Sequence, residues 1–429
     1  MAAVFVLPWL SAGMTAAHAL QEPFVAAPGA VADFEARDPV LADEVMTGVI
    51  PQGQEWFLFG GGDRGGVFGW LDGGFMGNFG TPASKFNGPY NAVDRANEAM
   101  MNQVYFVGER LLPADGTSGV GGRVDLMYGE DFPNATSTGW EVNPGVRDWN
   151  SGEYYGLAMP QLYAEAGNDT FAVKLGHFYT IVGYEGVPAV GNFFYSKSYS
   201  YQFAGPFTHW GGLASWRHDL VEIDGGLVNG WNSLASAYSK ANFLGRARVR
   251  NEDNSLASSF AIVSGNEGND FSPLYQPAPV LDSANRTRYS LILEVRPSRG
   301  WEYVFHQWLG TQANGLASGG TALWAGIDQY LYWSASETWK WGLRFEWFQD
   351  TDGTRVGLNR PGNPNHVPLP GNYYSLTVGA NWLPTGNFLM RPALRWDFFG
   401  GPFGQARLPY DDGVAADQVM LGFDIIQRF

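Results

Sequence analysis

The sequence predicts an all-β fold, namely a transmembrane antiparallel β-barrel of about 16 strands with short periplasmic turns and long extracellular loops. Segments of about ten residues alternate apolar with polar residues, and turn-forming residues separate these segments. The connections between them alternate between short and long ones. The chain ends on one more alternating segment, DQVMLGFDIIQRF, whose last residue is Phe429.

The composition limits the kinds of partner and site that this protein can have. The formal net charge is −16 and the mean hydropathy is −0.18, values that an acidic soluble protein also has. A barrel alternates its lipid-facing residues with polar ones, so a low mean hydropathy does not exclude it. The acidic balance disfavours nucleic acid as a partner, because phosphates would be repelled. The sequence has no Cys, so it offers neither disulfides nor thiolate metal sites.

Residues 1–19, MAAVFVLPWLSAGMTAAHA, have the pattern of a signal peptide. An apolar run ends at Ala17-His18-Ala19, the small-x-small arrangement that signal peptidase cleaves. The lack of Lys or Arg ahead of the apolar run departs from that pattern, and an N-terminal membrane helix is the alternative. We therefore expect export, with cleavage near Ala19, a periplasmic N-terminal segment over 20–65 and a barrel over 66–429.

Sixteen segments alternate in this way, each near the length of about 9–11 residues that crosses a bilayer at a tilt. The predicted strands are 66–80, 100–113, 119–131, 155–166, 170–179, 207–217, 219–232, 242–250, 256–265, 286–296, 300–311, 321–334, 337–349, 372–384, 387–399 and 417–429. A soluble sandwich also alternates its residues, but it has no reason to sort short and long connections by side.

Charged residues recur on one face of these strands and apolar residues on the other. In ETWKWGLRFEWFQD, for example, Trp339 and Trp341 share a face that excludes Lys340 and Arg344. Unpaired charges are costly in a packed core, so this face is predicted to line an aqueous lumen. The predicted lumen-facing charges are Arg246, Arg248, Arg250, Arg288, Glu294, Lys340, Arg344, Glu346, Arg391, Arg395 and Asp397. The cations either set up a field across the pore or pair with these carboxylates, so ion selectivity stays open.

Several stretches resemble the OmpL-like β-barrel porin family. In chain order they are VKLGHFYTIVGYEGVPAVGNFFYSKSY, GPFTHWGGLA, GIDQYLYWS, WGLRFEWFQDTDGTR, GNYYSLTVGANW and RPALRWD. The resemblance covers most of residues 66–429 and implies an outer-membrane pore without naming its solute. The terminal strand resembles the signal that the outer-membrane assembly machinery recognises, which implies that Phe429 belongs to that signal.

The connection after the fifth strand is the longest. By the same resemblance it occupies the place of the third extracellular loop of sixteen-stranded porins, which folds inward as a constriction. The residues implied for the constriction are Tyr184, Glu185, Phe193, Phe194, Tyr195 and Lys197. A surface loop with aromatic packing is the alternative.

Other functional motifs are weak or missing. Asp350 and Asp352 precede Gly353 with part of a calcium-loop spacing, but the downstream Glu is missing, and an Asp-Gly turn is the better interpretation. The six His are scattered without a catalytic motif, and no phosphate-binding loop or HExxH occurs. We expect neither an enzyme nor a cofactor.

Two hypotheses of function remain. The first is passive diffusion of small hydrophilic solutes through an open lumen. The second is a barrel with a closed lumen that acts in adhesion or envelope anchoring through its loops. The partners implied are outer-membrane lipid, the assembly machinery, small hydrophilic solutes and, by analogy with porins, two further copies in a homotrimer.

Overall fold

A single antiparallel sheet closes on itself to form a barrel. The computed structural model describes residues 64–142, 149, 154–234, 241–267, 285–316, 318–356, 369–402 and 405–429. The predicted signal peptide and nearly all of the 20–65 segment lie outside these residues.

The sheet has sixteen strands in the described residues, so the predicted strand number is confirmed. The strands are β1 Gly65–Asn78, β2 Ala99–Arg110, β3 Gly119–Gly129, β4 Gly156–Gly167, β5 Phe171–Tyr179, β6 Thr208–His218, β7 Val221–Val228, β8 Asn242–Arg250, β9 Leu256–Asn266, β10 Asn285–Ser298, β11 Trp301–Gln312, β12 Ala322–Ser334, β13 Trp339–Asp350, β14 Gly371–Thr385, β15 in two parts (Phe388–Met390 and Ala393–Gly400) and β16 Asp417–Arg428. Each strand pairs with its neighbours in chain order.

The terminal strand closes the barrel. β16 pairs with β1 as well as with β15, and Phe75 lies opposite Phe423 in this register. Gly69 and Phe429 exchange two backbone hydrogen bonds, of 2.8 and 3.0 Å. Closure leaves no unpaired sheet edge, which is a requirement for crossing a bilayer with strands.

Strand β15 is interrupted at Pro392 because proline has no N–H to donate to the ladder. Its carbonyl still accepts a hydrogen bond of 3.0 Å from Ala380 N on β14. The preceding residue, Arg391, keeps a backbone hydrogen bond to Asp424 on β16. Strand β15 therefore continues in the same direction after the interruption, and Arg391 stays hydrogen-bonded to the closing strand.

The two faces of the barrel differ as the alternation predicts. Large apolar side chains are exposed on the outside, and the exposed tryptophans are Trp216, Trp301, Trp333, Trp339, Trp341 and Trp396. An apolar surface this continuous would be unfavourable in water and suits contact with lipid. Among the described residues, no helix has the length and apolar character needed to span a membrane.

Some connections fold into the barrel. Among them are residues 79–98, between β1 and β2, and residues 180–207, between β5 and β6; we call the latter the lumen loop. The lumen loop contains a 3₁₀ turn at Ala189–Gly191 and a π-helical turn at Ser200–Ala204, and further 3₁₀ turns lie at Phe132–Asn134 and Asp411–Gly413. The buried core therefore consists largely of inward strand residues packed against loop residues.

Candidate functional site

The lumen loop crosses the interior of the barrel, and none of its residues is exposed. Of the residues predicted for a constriction, the buried ones are Tyr184, Phe194, Tyr195 and Lys197, while Glu185 and Phe193 are partly buried. The aromatic rings pack against the barrel wall: Tyr184 lies 4.6 Å from Tyr330, and Phe193 lies 4.7 Å from Tyr332, both between ring centroids. The six residues are therefore together inside the barrel.

Arginines of the wall hold the backbone of the lumen loop. Arg391 donates to the carbonyls of Ala189 and Asn192, at 2.7 and 2.6 Å. The other donors and their acceptors are Arg344 to Ser196 at 2.8 Å, Arg395 to Lys197 at 2.7 Å and Arg288 to Val182 at 3.1 Å. Because four arginines from three strands, β10, β13 and β15, bind loop carbonyls, the loop has a defined position in the lumen.

Most of the predicted lumen charges also form ion pairs, either with one another or with other carboxylates of the barrel wall. The ion pairs are Arg344 with Glu346 at 2.9 Å, Arg395 with Asp397 at 2.8 Å, Arg246 with Asp224 at 2.7 Å and Arg248 with Glu294 at 3.6 Å. Arg391 Nε lies 2.9 Å from Asp424 Oδ1. These pairs reduce the net field that the cations produce.

Two predicted lumen cations lie near the strand ends. Arg250 is partly exposed and donates to Asn254 in the turn after β8, at 2.8 Å. Lys340, the second residue of β13, is also partly exposed. Both therefore lie at the barrel end that carries the turns after β8 and before β13.

Glu185 ties the lumen loop to the wall. Its carboxylate accepts from Arg344 at 2.7 Å and from the backbone N–H of Ser198 at 2.8 Å. Burial raises the pKa of Glu185, but Arg344 and the Ser198 N–H outweigh burial and leave the pKa below its usual value. Burial lowers the pKa of Lys197, whose ammonium lies over the Tyr201 ring. Glu185 is therefore ionised at neutral pH.

Sequence reasoning missed part of this arrangement. On β2, the side chain of Gln103 donates to Val187 O at 2.8 Å and accepts from Ala189 N at 3.0 Å. From residues 79–98, Tyr90 donates to Asp397 and Asn91 N donates to Gln202 at 2.8 Å. A polar residue at an inward position of an apolar strand could have pointed to Gln103, but no pattern in 79–98 indicates an inward fold.

The two candidate calcium ligands accept hydrogen bonds from backbone N–H groups. Asp350 accepts hydrogen bonds from three successive N–H groups, those of residues 354–356, at 2.8 to 2.9 Å. Asp352 accepts from Leu323 N at 3.1 Å, and Gly353 has a φ of +64°. This geometry fits the Asp-Gly turn. No cluster of three potential metal-ligating side chains occurs in the part of the chain that the structure describes.

A small cavity lies beside the lumen loop. This cavity, of about 30 Å³, lies where the loop leaves and rejoins the wall, and its lining includes Tyr179, Tyr201, Phe207 and Arg288. This volume admits one or two water-sized species.

Comparison with known proteins agrees with this architecture. A family model described as "Putative beta-barrel porin-2, OmpL-like" matches residues 66–429. No curated protein matches the chain.

Solved structures share the fold at low identity. An anion-selective porin from Comamonas acidovorans has a TM-score of 0.53 at 10% identity, over 85% of this chain and 99% of that one. The outer membrane channel DcaP of Acinetobacter baumannii has a TM-score of 0.52 at 9% identity, over 86% and 99%. A loop L8 deletion mutant of OmpT from Vibrio cholerae has a TM-score of 0.54 at 9% identity, over 86% and 100%. Since the family model covers all sixteen strands apart from the first residue of β1, the chain belongs to the OmpL-like β-barrel porin family.

Proposed function

We propose that this porin is a passive outer-membrane channel for small hydrophilic solutes, with the lumen loop as its constriction. The observation that carries the proposal is a loop held across the interior of a sixteen-stranded barrel. A barrel of sixteen strands is too wide for side chains alone to fill its interior. It therefore has room for an aqueous path. The exposed apolar outer face supports insertion in lipid.

The surrounding parts of the chain fit the same proposal. Residues 1–19 serve as a signal peptide and 20–65 as a periplasmic segment. The barrel end with the short turns faces the periplasm. The exposed apolar face accommodates either lipid or neighbouring copies in a homotrimer, and sedimentation in detergent would distinguish a trimer from a monomer.

One observation favours a second function. The predicted lumen charges other than Arg250 and Lys340 are buried, and so is most of the lumen loop. A lumen filled in this way suits a closed barrel that acts in adhesion or envelope anchoring. The two functions differ in whether the lumen loop ever leaves its closed position.

Planar-bilayer recording separates the two functions. The folded, heat-modifiable protein is inserted into a bilayer, and conductance is recorded across a salt gradient. Discrete open steps support the channel, and the sign of the reversal potential shows whether cations or carboxylates dominate the path. Silence from correctly folded protein supports the anchoring function.

Glu185→Gln is expected to favour open states of the channel. The variant removes the charge that Arg344 contacts at 2.7 Å, a loss of about 1.5–3 kcal/mol for a hydrogen bond to a charged group. Each 1.4 kcal/mol shifts the closed-to-open ratio about tenfold. In the wild type the contact is complete above the ordinary pKa of Glu and is lost as pH falls through the lowered pKa. Open probability in bilayers at pH 7 is the measurement.

The control for this variant is Glu337→Gln in the exposed turn between β12 and β13, which should behave as wild type. Acidification below the lowered pKa of Glu185 should make wild type resemble the Glu185 variant. Equal open probability in the Glu185 variant and in wild type would contradict a role of this contact in closure.

Phe429→Ala is expected to reduce outer-membrane assembly more than stability. The ring of Phe429 packs on Phe106 at 5.5 Å, and an aromatic pair of this kind contributes about 0.5–1.5 kcal/mol. The measurement compares the heat-modifiable band in outer-membrane fractions with that of protein refolded in detergent. The control is Phe260→Ala, which removes an outward aromatic that packs on Tyr289 at 5.9 Å. A similar loss in both variants would assign the effect to packing.

A further inference from the structure

The connection between β1 and β2 contains a short hairpin that reaches the interior of the barrel. This hairpin consists of residues 86–96, and we call it the finger. Every residue of the finger is buried. Its two arms are paired, since Asn87 N donates to Asp94 O at 2.7 Å. Residues 88–93, GPYNAV, form the tip between the arms.

One side chain fixes the shape of the finger and attaches it to the barrel. Asn87 Nδ2 donates to the carbonyls of Val93 and Arg95, both at 3.0 Å. Asn87 Oδ1 accepts from Asn78 Nδ2 on β1 at 3.1 Å, and that amide also donates to Gln418 on β16 at 3.1 Å. The finger is therefore attached to the seam at which β1 and β16 close the barrel.

The tip of the finger contacts the π-helical turn of the lumen loop. Asn91 N donates to Gln202 Oε1 at 2.8 Å, and Ala92 N donates to the same oxygen at 3.4 Å. Asn91 Nδ2 donates to Gln202 O at 3.4 Å. The ring of Tyr90 lies 5.7 Å from that of Tyr199, between centroids. Gln202 is 4% exposed, so its amide oxygen is an acceptor that water does not replace.

The same turn is also bound by the rest of the barrel. Tyr199 N donates to Glu346 on β13 at 2.6 Å, and its hydroxyl lies 2.8 Å from that of Tyr410, between β15 and β16. Trp324 on β12 donates to Ala204 O at 3.0 Å. To leave its position, the turn has to break its contacts to the finger as well as those to the wall.

We propose that the finger holds the lumen loop in its closed position through Gln202. The finger is attached to the seam and bonded within itself, so the lumen loop is the partner that moves. Without the Gln202 amide, the N–H groups of Asn91 and Ala92 would lose their acceptor in a buried site, and the closed position would lose stability. The inference rests on the proposed function only for its effect on conductance, because the contact itself is testable without conduction.

Thiol labelling of the lumen loop tests this role. The sequence has no Cys, so Ser200→Cys places a single thiol in a residue that is 3% exposed. A charged methanethiosulfonate reagent should label the full-length folded protein slowly in detergent. Gln202→Leu should raise the labelling rate about tenfold, the shift expected from the loss of two hydrogen bonds. The control is Lys85→Gln, an exposed position beside the finger, which should leave the rate unchanged.

A change in the finger separates its role from a local effect at Gln202. Replacing residues 88–93 with an Asn-Gly turn suits the pairing of the arms and should also raise the labelling rate. In that protein Gln202→Leu should have little further effect, because both changes remove the same contact. An unchanged rate in the tip replacement, or a full additional rise from Gln202→Leu, would overturn the proposal. If Gln202→Leu does not fold, the tip replacement decides.

Bilayer recording of the same variants distinguishes this proposal from the proposed function. Faster labelling without conductance in any variant would support the role of the finger and overturn the channel. Conductance with unchanged labelling in the tip replacement would support the channel and overturn the role of the finger. Faster labelling together with a higher open probability would support both.

Discussion

Replacing residues 183–204 of the lumen loop with two glycines is expected to raise single-channel conductance several-fold. Thr180 N donates to Phe207 O at 2.9 Å, so the ends of the loop already meet and a short connection can join them. The replaced segment fills the interior and carries the carbonyls that Arg344, Arg391 and Arg395 bind. Conductance rises with the cross-sectional area of the aqueous path, and the lumen loop is the proposed constriction of that path.

The same replacement should shift the reversal potential toward anions. Without the loop, the donors of three arginines point into water, and Glu185 leaves together with its charge. The control is a two-glycine insertion at Ser336 in an exposed turn. It tests whether a change in a connection alters folding and insertion of the barrel when the lumen is unchanged. Wild-type conductance in a correctly folded replacement would show that the lumen loop is not the constriction.

The sequence predicted the barrel well because each strand carries its own signal. Alternation with period two separates Trp339 from Lys340 without knowledge of any partner strand, and the predicted lumen charges, apart from Arg250 and Lys340, are buried inside the barrel. Strand ends were less accurate. The strand predicted to reach 232 ends at Val228, near Gly230, which has a φ of +95°.

The sequence could not predict which groups each lumen charge contacts. The pairing of Arg391 with Asp424 depends on closure of the barrel and on the interruption of β15 at Pro392. The inward fold of residues 79–98, which places Tyr90 against Asp397, leaves no periodic pattern. Contacts of this kind arise between segments far apart in the chain, and only the closed barrel brings them together.

Ion selectivity follows from how many cations remain available to solute. Three arginines each bind both a carboxylate and a loop carbonyl, namely Arg344, Arg391 and Arg395. In the closed state they therefore bind groups of the protein and are not available to solute. Opening of the lumen loop releases the carbonyl contacts but leaves the carboxylates in place. Selectivity is therefore expected to depend on the position of the loop more than on the count of charges.

Arg391→Ala is expected to destabilise the barrel by about 3–5 kcal/mol, the usual cost of removing one partner of a buried ion pair. Arg391 is buried, pairs with Asp424 and binds the carbonyls of Ala189 and Asn192. Asp72 lies close to Asp424, so the variant leaves two carboxylates in a buried site without their cation. The measurement is the free energy of unfolding by urea in detergent.

Matched variants separate charge from packing at this site. Arg391→Met with Asp424→Leu replaces the pair by apolar side chains and should recover much of the stability, because no buried charge is left unmatched. Arg391→Lys should be intermediate, since a single ammonium cannot serve Asp424 and two carbonyls with the geometry of a guanidinium. A loss below about 1 kcal/mol in Arg391→Ala would mean that water reaches Asp424. Because Arg391 binds both the closing strand and the lumen loop, its removal should lower stability and raise open probability together, whereas Glu185→Gln should change mainly the open probability.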